Sequence, residues 1–266
     1  MTPRFGARYE AGGLAAIAQR DLTKLLRDRL RLAVSLAFPV LLIGGLGNAL
    51  QSTVGKATGL DAVTLAFTGV LAATLFQSAA AGMISLVEDR ETDFSRELFV
   101  TPVSRLTLVG GKVIGETLVS LFQGLLVVVF AVVFGVSVSL RQIALLAGPA
   151  VACCLLGAAF GLATLSALPN QRAAMQFFQF LLIPQYVLAG VIVPISGLAG
   201  WLRVVAWAMP MSYGVELTRA GYYSGSGGYS KVVSAGPVVD VAVMAALFVG
   251  LLVGGAALLE YRERNL

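Results

Sequence analysis

Six stretches of this chain are apolar for long enough to cross a bilayer, and that feature constrains its fold more than any other. A crossing helix needs roughly 20 mostly apolar residues. The stretches run from about Leu32 to Leu50, Val63 to Val87, Leu108 to Val136, Ile143 to Leu168, Ala173 to Ile195 and Val238 to Leu259. Lipid offers no partner for backbone N–H and C=O groups, so such segments must be helical. The expectation is an all-α membrane protein with six transmembrane helices in one domain spanning residues 1–266. Only 12% of the residues are charged and 58% are hydrophobic, against about 25% charged in soluble domains. This excludes a soluble enzyme, a disordered chain and a nucleic-acid-binding protein.

The chain has no histidine, which removes His-ligated metals, His-based triads and His proton relays. Cys153 and Cys154 are adjacent inside an apolar run, an arrangement unsuited to a framework disulfide. No catalytic residue and no metal site is expected.

Loop charges set the orientation. Fourteen of the 19 Lys and Arg residues fall in loops that six crossings place on one side: Arg4, Arg8, Arg20, Lys24, Arg27, Arg29, Arg31, Arg90, Arg96, Arg105, Lys112, Arg172, Arg262 and Arg264. Lys56, Arg141, Arg203, Arg219 and Lys231 fall on the other. The positive-inside rule then predicts a multi-pass protein of the cytoplasmic (inner) membrane with both termini cytoplasmic. Seven basic residues precede the first apolar stretch, a pattern unlike a removable signal peptide.

Two further segments have helical character. In Gly13–Arg31, Leu14, Ala18, Leu22, Leu25 and Leu26 share one side, while Arg20, Lys24, Arg27 and Arg31 recur on another. This describes an amphipathic helix in the inner interface, its basic face toward anionic headgroups. A solvated leader into the first span is the plainer alternative. On the outer side, Leu198–Met209 is apolar but only about twelve residues long, bounded by turn signals and by Pro210, which suits a re-entrant helical hairpin. Trp201 and Trp207 fit headgroup depth. Gly221–Gly236, rich in Gly, Ser and Tyr, reads as a flexible external loop with Tyr222, Tyr223 and Tyr229 near the interface.

The inner loop after the second stretch runs Glu88-Asp89-Arg90-Glu91-Thr92-Asp93-Phe94-Ser95-Arg96-Glu97-Leu98-Phe99-Val100-Thr101-Pro102-Val103-Ser104-Arg105. Thr92 or Asp93 suits a helix N-cap, and Pro102 ends the helix. Phe94 and Leu98, four residues apart, share a face. An apolar anchor ringed by charge suits docking of a soluble partner; an ordinary charged loop is the alternative.

Three runs carry a family resemblance. They are Leu98-Phe99-Val100-Thr101-Pro102-Val103-Ser104-Arg105 followed by Gly110-Gly111-Lys112, then Ala189-Gly190-Val191-Ile192-Val193-Pro194-Ile195-Ser196-Gly197-Leu198 with Trp201-Leu202, and last Met209-Pro210-Met211-Ser212-Tyr213-Gly214-Val215-Glu216-Leu217-Thr218-Arg219. In this order on a six-span frame, the chain resembles the permease subunits of type 2 ABC exporters, the group of daunorubicin-resistance and nodulation-type export permeases. Met209 stands where that family often has Asn.

The resemblance implies a homodimer, or a pair of related permeases, bound to two ABC ATPase subunits and moving an amphiphilic, drug-like, lipid or glycan-linked substrate. It implies that the loop between spans two and three is the coupling helix, placing ATPase contact on Asp93, Phe94, Arg96, Glu97, Leu98, Thr101, Pro102 and Arg105. It maps the outer re-entrant hairpin onto Ile195–Tyr213. No Gly-x-x-x-x-Gly-Lys-[Ser/Thr] run occurs in the sequence, so no cofactor is expected on this chain, and ATP and Mg belong to the partner ATPase. An intramembrane lipid-modifying enzyme and an ATP-independent channel or scaffold are the alternatives. The first needs convergent polar catalytic groups in the spans, which are scarce here.

Polar residues within spans are the remaining candidates. Glu116 follows Lys112 by four positions, a spacing that suits an ion pair at the inner end of span three. The resemblance puts the substrate route between facing subunits, walled by spans one, two and five. In span five, Gln179 and Tyr186 are seven residues apart, close to two helical turns, and Phe178 and Gln185 repeat that spacing on an adjacent line. These four are the candidate substrate-path residues; a packed wall kinked at Pro184 is the competing reading. Gly157 and Gly161 form a small-xxx-small pattern suited to close helix packing.

Overall fold

The computed structural model describes residues 7–56, 59–84, 105–168 and 171–265. Among these residues the chain is all-α, without strands. Helix α1 spans Ala7–Arg27 and α2 spans Arg29–Val40. Pro39 lies inside α2 and supplies no backbone donor, and the ladder widens into a π-helix over Leu41–Leu46. Long helices follow: α3 (Ala62–Ile84), α4 (Arg105–Val133), α5 (Leu140–Ala167) and α6 (Gln171–Leu188). Then come α7 (Gly200–Ala208), α8 (Pro210–Tyr222), the single turn α9 (Tyr229–Val232) and α10 (Pro237–Asn265).

Five segments among the described residues are long and apolar enough to cross a membrane: Leu32–Ala49, Ala62–Ile84, Val109–Val133, Leu140–Ala167 and Tyr229–Gly255. The segment expected to be the fifth span forms a helix, α6, but α6 is not among them. It has 18 residues and includes Gln171, Arg172, Gln176, Gln179 and Gln185, which dilute its apolar character. It also stops at Leu188, because Gly190 turns the chain with φ +80°.

Helix α3 is the hub, buried along nearly its whole length between α4 and α5. Glycines permit the closest approach. A Cβ at Gly157 would strike the carbonyl of Phe76, and one at Gly161 the carbonyl of Ala80. The small-xxx-small pattern is therefore an α5–α3 contact. Phe76, Phe160 and Phe178 continue the seam, with ring centroids 5.4 and 6.2 Å apart in succession. Helix α5 starts with a capping box: Ser139 accepts from the Gln142 backbone amide, and the Gln142 side chain accepts from Ser139 N.

The outer segments pack more tightly than the sequence suggests. Where the sequence suggests a re-entrant hairpin the chain forms two helices, α7 and α8, and the second continues past Tyr213 to Tyr222. Tyr213 donates to the Trp207 carbonyl at 2.8 Å, and Ser212 donates to that of Ala206, fastening the two arms. Tyr222 and Tyr223 are buried rather than interfacial. Tyr222 donates to Ser137 O at 2.7 Å and packs edge-on against Phe67 and Tyr223. A phenol with a partner for its hydroxyl is a large apolar surface, so burial is favoured over a place in a Gly-rich loop.

Candidate functional site

Three places were marked by the sequence: the inner loop, the leading helix and the face of α6. Of the inner-loop residues, Asp93, Phe94, Arg96, Glu97, Leu98, Thr101 and Pro102 lie outside the described residues. Arg105 is the first residue of α4.

The region behind that loop is well defined. The leading segment is a helix, as its periodicity predicts, but it is clamped to the protein by a residue that the amphipathic reading passed over. Asp21 is buried and faces α4. Lys112 Nζ lies 3.1 Å from Asp21 Oδ2 and 2.7 Å from Glu116 Oε1, with all three side chains at most 6% exposed. Arg20 reaches Asp21 Oδ1 at 3.0 Å. Gly115 lets α1 come this close, since a Cβ there would lie 3.1 Å from Asp21 Oδ2 and 3.2 Å from Ala18 Cα. The Glu116 carboxylate fills the space that a side chain at Gly82 would occupy on α3. The predicted Lys112–Glu116 pair is thus one edge of a buried ionic cluster joining α1, α3 and α4. Lys112 is about two turns into α4, and Gly82 is in the last turn of α3. The cluster therefore joins both roots of the inner loop to the leading helix.

On α6 the four candidate residues separate. Phe178 is buried against Phe160. Gln185 is 2% exposed, with its Oε1 lacking a hydrogen-bond partner among the described residues. Gln179 is exposed. Tyr186 is half-buried, donates to Gln77 Oε1 of α3 at 2.8 Å and meets the Phe38 ring of α2 edge-on at 5.3 Å. Tyr186 thus touches the helices expected to wall the route, while Phe178 and Gln185 turn inward. Phe177, Phe180, Ile183 and Val187 leave an apolar face of α6 exposed.

The outer hairpin holds a second polar cluster that its sequence did not announce. Glu216 and Arg219 on α8, and Asp240 in the first turn of α10, are each at most 3% exposed. Glu216 Oε1 accepts from the backbone amides of Ser234 and Ala235. Burial pushes the Glu216 carboxyl up, opposed by those two amides and by Arg219. Burial pulls the Arg219 guanidinium down to about 10, opposed by Tyr223 and Glu216, so it stays charged at neutral pH. Its Nη2 donates to Val191 O at 3.3 Å, pinning the turn after α6. Lys112 and Arg219 were counted as loop charges for orientation, yet both are buried. The only sequence signal for this cluster is charge inside or beside apolar runs, which by itself names no partner.

Comparison with known proteins places this architecture. The ABC-2 type transporter membrane family matches the chain over residues 13–223, from the leading helix to the end of the outer hairpin. No curated protein matches it.

Proposed function

The chain belongs to the ABC-2 type transporter family, and on that premise we propose that it exports an amphiphilic substrate, drug-like, lipid or glycan-linked, driven by ATP hydrolysis on a separate subunit. Membership makes it the transmembrane permease component of an ABC transporter, a multi-pass membrane protein and not the hydrolysing subunit. The observation that carries the finer reading is the buried cluster Asp21–Lys112–Glu116, which ties the roots of the inner loop to α1. Such a joint passes motion of a docked ATPase into the spans, because a packed core shifts as a unit rather than deforming. In this reading α6 is the sixth crossing, residues 93–105 form the coupling helix, and two copies or two related permeases enclose the route. The test is purification from native membranes. ATPase subunits recovered with this chain, with activity that needs it, support the reading; recovery of the chain alone refutes it.

Orientation follows from the same scheme. The inner loop is cytoplasmic and the segment after α8 external. Ser95→Cys and Ser226→Cys, in a background without the buried Cys153 and Cys154, are expected to differ in intact cells: an impermeant thiol reagent labels position 226 and not 95. The reverse pattern would overturn the topology.

Tyr186 marks the route through its contacts with Phe38 and Gln77. Gln179, exposed beside it, is placed to meet a polar group of the substrate, while Phe178 and Gln185 support the wall from behind. Tyr186→Ala and Gln179→Ala are expected to lower transport several-fold at matched complex levels, with assembly intact, as single contacts worth about 1 kcal/mol would. Gln185→Ala is expected to act on stability and transport together. Normal transport by all three variants would move the route to α2 and α3.

A further inference from the structure

Helices α1 and α2 form one rod with two unlike sides. The helical ladder runs across their junction, with Asp28 N bonded to Lys24 O and Leu32 N to Asp28 O, both at 3.1 Å. Ala18, Leu25 and Leu36 recur on one side and are buried. Asp21 is clamped to Lys112 beside them. Protein, rather than lipid, therefore takes up much of the apolar side of α1.

The opposite side begins with a cation and continues apolar. Arg27 is exposed. Leu30, Val34, Phe38 and Leu41 follow it at helical spacing, each 49–76% exposed. Lys24 is exposed one turn before Arg27. Asp28 falls about a third of a turn to the side of Arg27, and from Lys24 to Arg31 the sequence holds four basic residues against that one acid. From Leu30 to Leu41 the stripe rises about 16 Å. That matches one leaflet, half of a hydrocarbon core about 30 Å thick.

Two occupants fit an exposed apolar stripe at this depth, a lipid and a second copy of the chain. Copies of a membrane protein share one orientation, so a two-fold axis between them runs along the membrane normal and brings residues of equal depth together. A second copy on this stripe would set one Arg27 beside another, like charge against like charge. A phospholipid with a net negative headgroup satisfies both ends of the pattern. Its phosphate takes the guanidinium fork, and its chain takes the apolar side chains.

We propose that this side of α1 and α2 is a binding site for one anionic phospholipid, with its phosphate at Arg27 and Lys24 and an acyl chain along Leu30, Val34, Phe38 and Leu41. The lipid belongs to the leaflet beside α1, the inner one in the orientation given above. Phe38 also meets Tyr186 edge-on, so in the exporter reading the bound chain lies against a wall of the substrate route.

Lipid quenching of a reporter tests the proposal on the full chain in nanodiscs. It needs neither ATPase nor substrate, so its failure is distinct from failure of the transport reading. Val34→Trp supplies the reporter once Trp201 and Trp207, the two tryptophans of the chain, are replaced by Phe. The probes are phosphatidylglycerol and phosphatidylcholine, brominated in turn on the same acyl chain in a mixture of constant composition. Phosphatidylglycerol is expected to occupy the site with a preference of about 30-fold, each basic residue near the headgroup contributing about fivefold. Lys24→Gln/Arg27→Gln should bring the preference close to unity, while Arg27→Lys keeps most of it. The double variant in pure phosphatidylcholine should melt with the wild type, because neither side chain is buried. Equal quenching by the two lipids in the reporter protein, or a preference that survives Lys24→Gln/Arg27→Gln, would overturn the proposal. So would quenching by neither lipid together with disulfide formation between copies through Val34→Cys, in a background without Cys153 and Cys154, which would mark the stripe as a contact between two chains.

Discussion

Lys112→Met is expected to destabilise the protein by about 3–5 kcal/mol, the range for removing one partner of a buried ion pair. The loss comes less from the missing bonds than from what remains. Asp21 and Glu116 would face each other across the α1–α4 contact without the ammonium that now lies 3.1 and 2.7 Å from them. In thermal unfolding this corresponds to a drop on the order of 10 °C. The triple variant Asp21→Asn/Lys112→Met/Glu116→Gln removes the charges together and is expected to recover much of the loss, since replacing a whole buried ionic set is often near neutral. If it does, it separates stability from coupling: a folded protein lacking the ionic joint should hydrolyse ATP with its partner while moving less substrate per ATP. Lys112→Met melting within a degree of wild type would show that the cluster does not hold α1 in place.

The other large effect is expected at the inner loop. Burial of a Phe or Leu side chain is worth about 1.5–3 kcal/mol. Phe94→Ser/Leu98→Ser should therefore weaken ATPase association by a factor of about 100 or more, enough to lose the subunit during purification. The melting temperature of the permease itself should stay close to wild type. Arg96→Gln and Arg105→Gln should act more weakly and mainly at low salt, because salt screens attraction between charges in contact with water. Normal ATPase recovery with the folded double variant would remove Phe94 and Leu98 from the docking surface.

The two predictions differ in how each site became visible. Phe94 and Leu98 stand out in the sequence, as a local apolar pair in a charged loop. Lys112–Glu116 was also legible, because helical spacing of four is local information. Asp21 was not: it lies 91 residues from Lys112 along the chain and interrupts an otherwise clean amphipathic pattern. Its partner exists only once α1 packs on α4, and Gly115, which permits that approach, is one of 30 glycines. Glu216 is the same case at the other end. It resembles a charge at the edge of an apolar run, and only the packing of α8 brings it to the amides of Ser234 and Ala235.

Periodicity and length are properties of consecutive residues, so the sequence alone determined that the chain is helical, membrane-bound and built from long apolar segments. It also marked as helical the leading segment and the stretch that forms α7, and it carried the motifs of the family. Tertiary structure decided the rest. Only packing shows that α6 ends at Leu188, and that Tyr222 folds inward to reach Phe67 and Ser137 with Tyr223 packed against it. Only packing shows that Gly157 and Gly161 seat against the carbonyls of Phe76 and Ala80. It alone assigns partners to buried charges, because the energy of an ion pair depends on distance and on exclusion of water, and neither is a property of one stretch of chain.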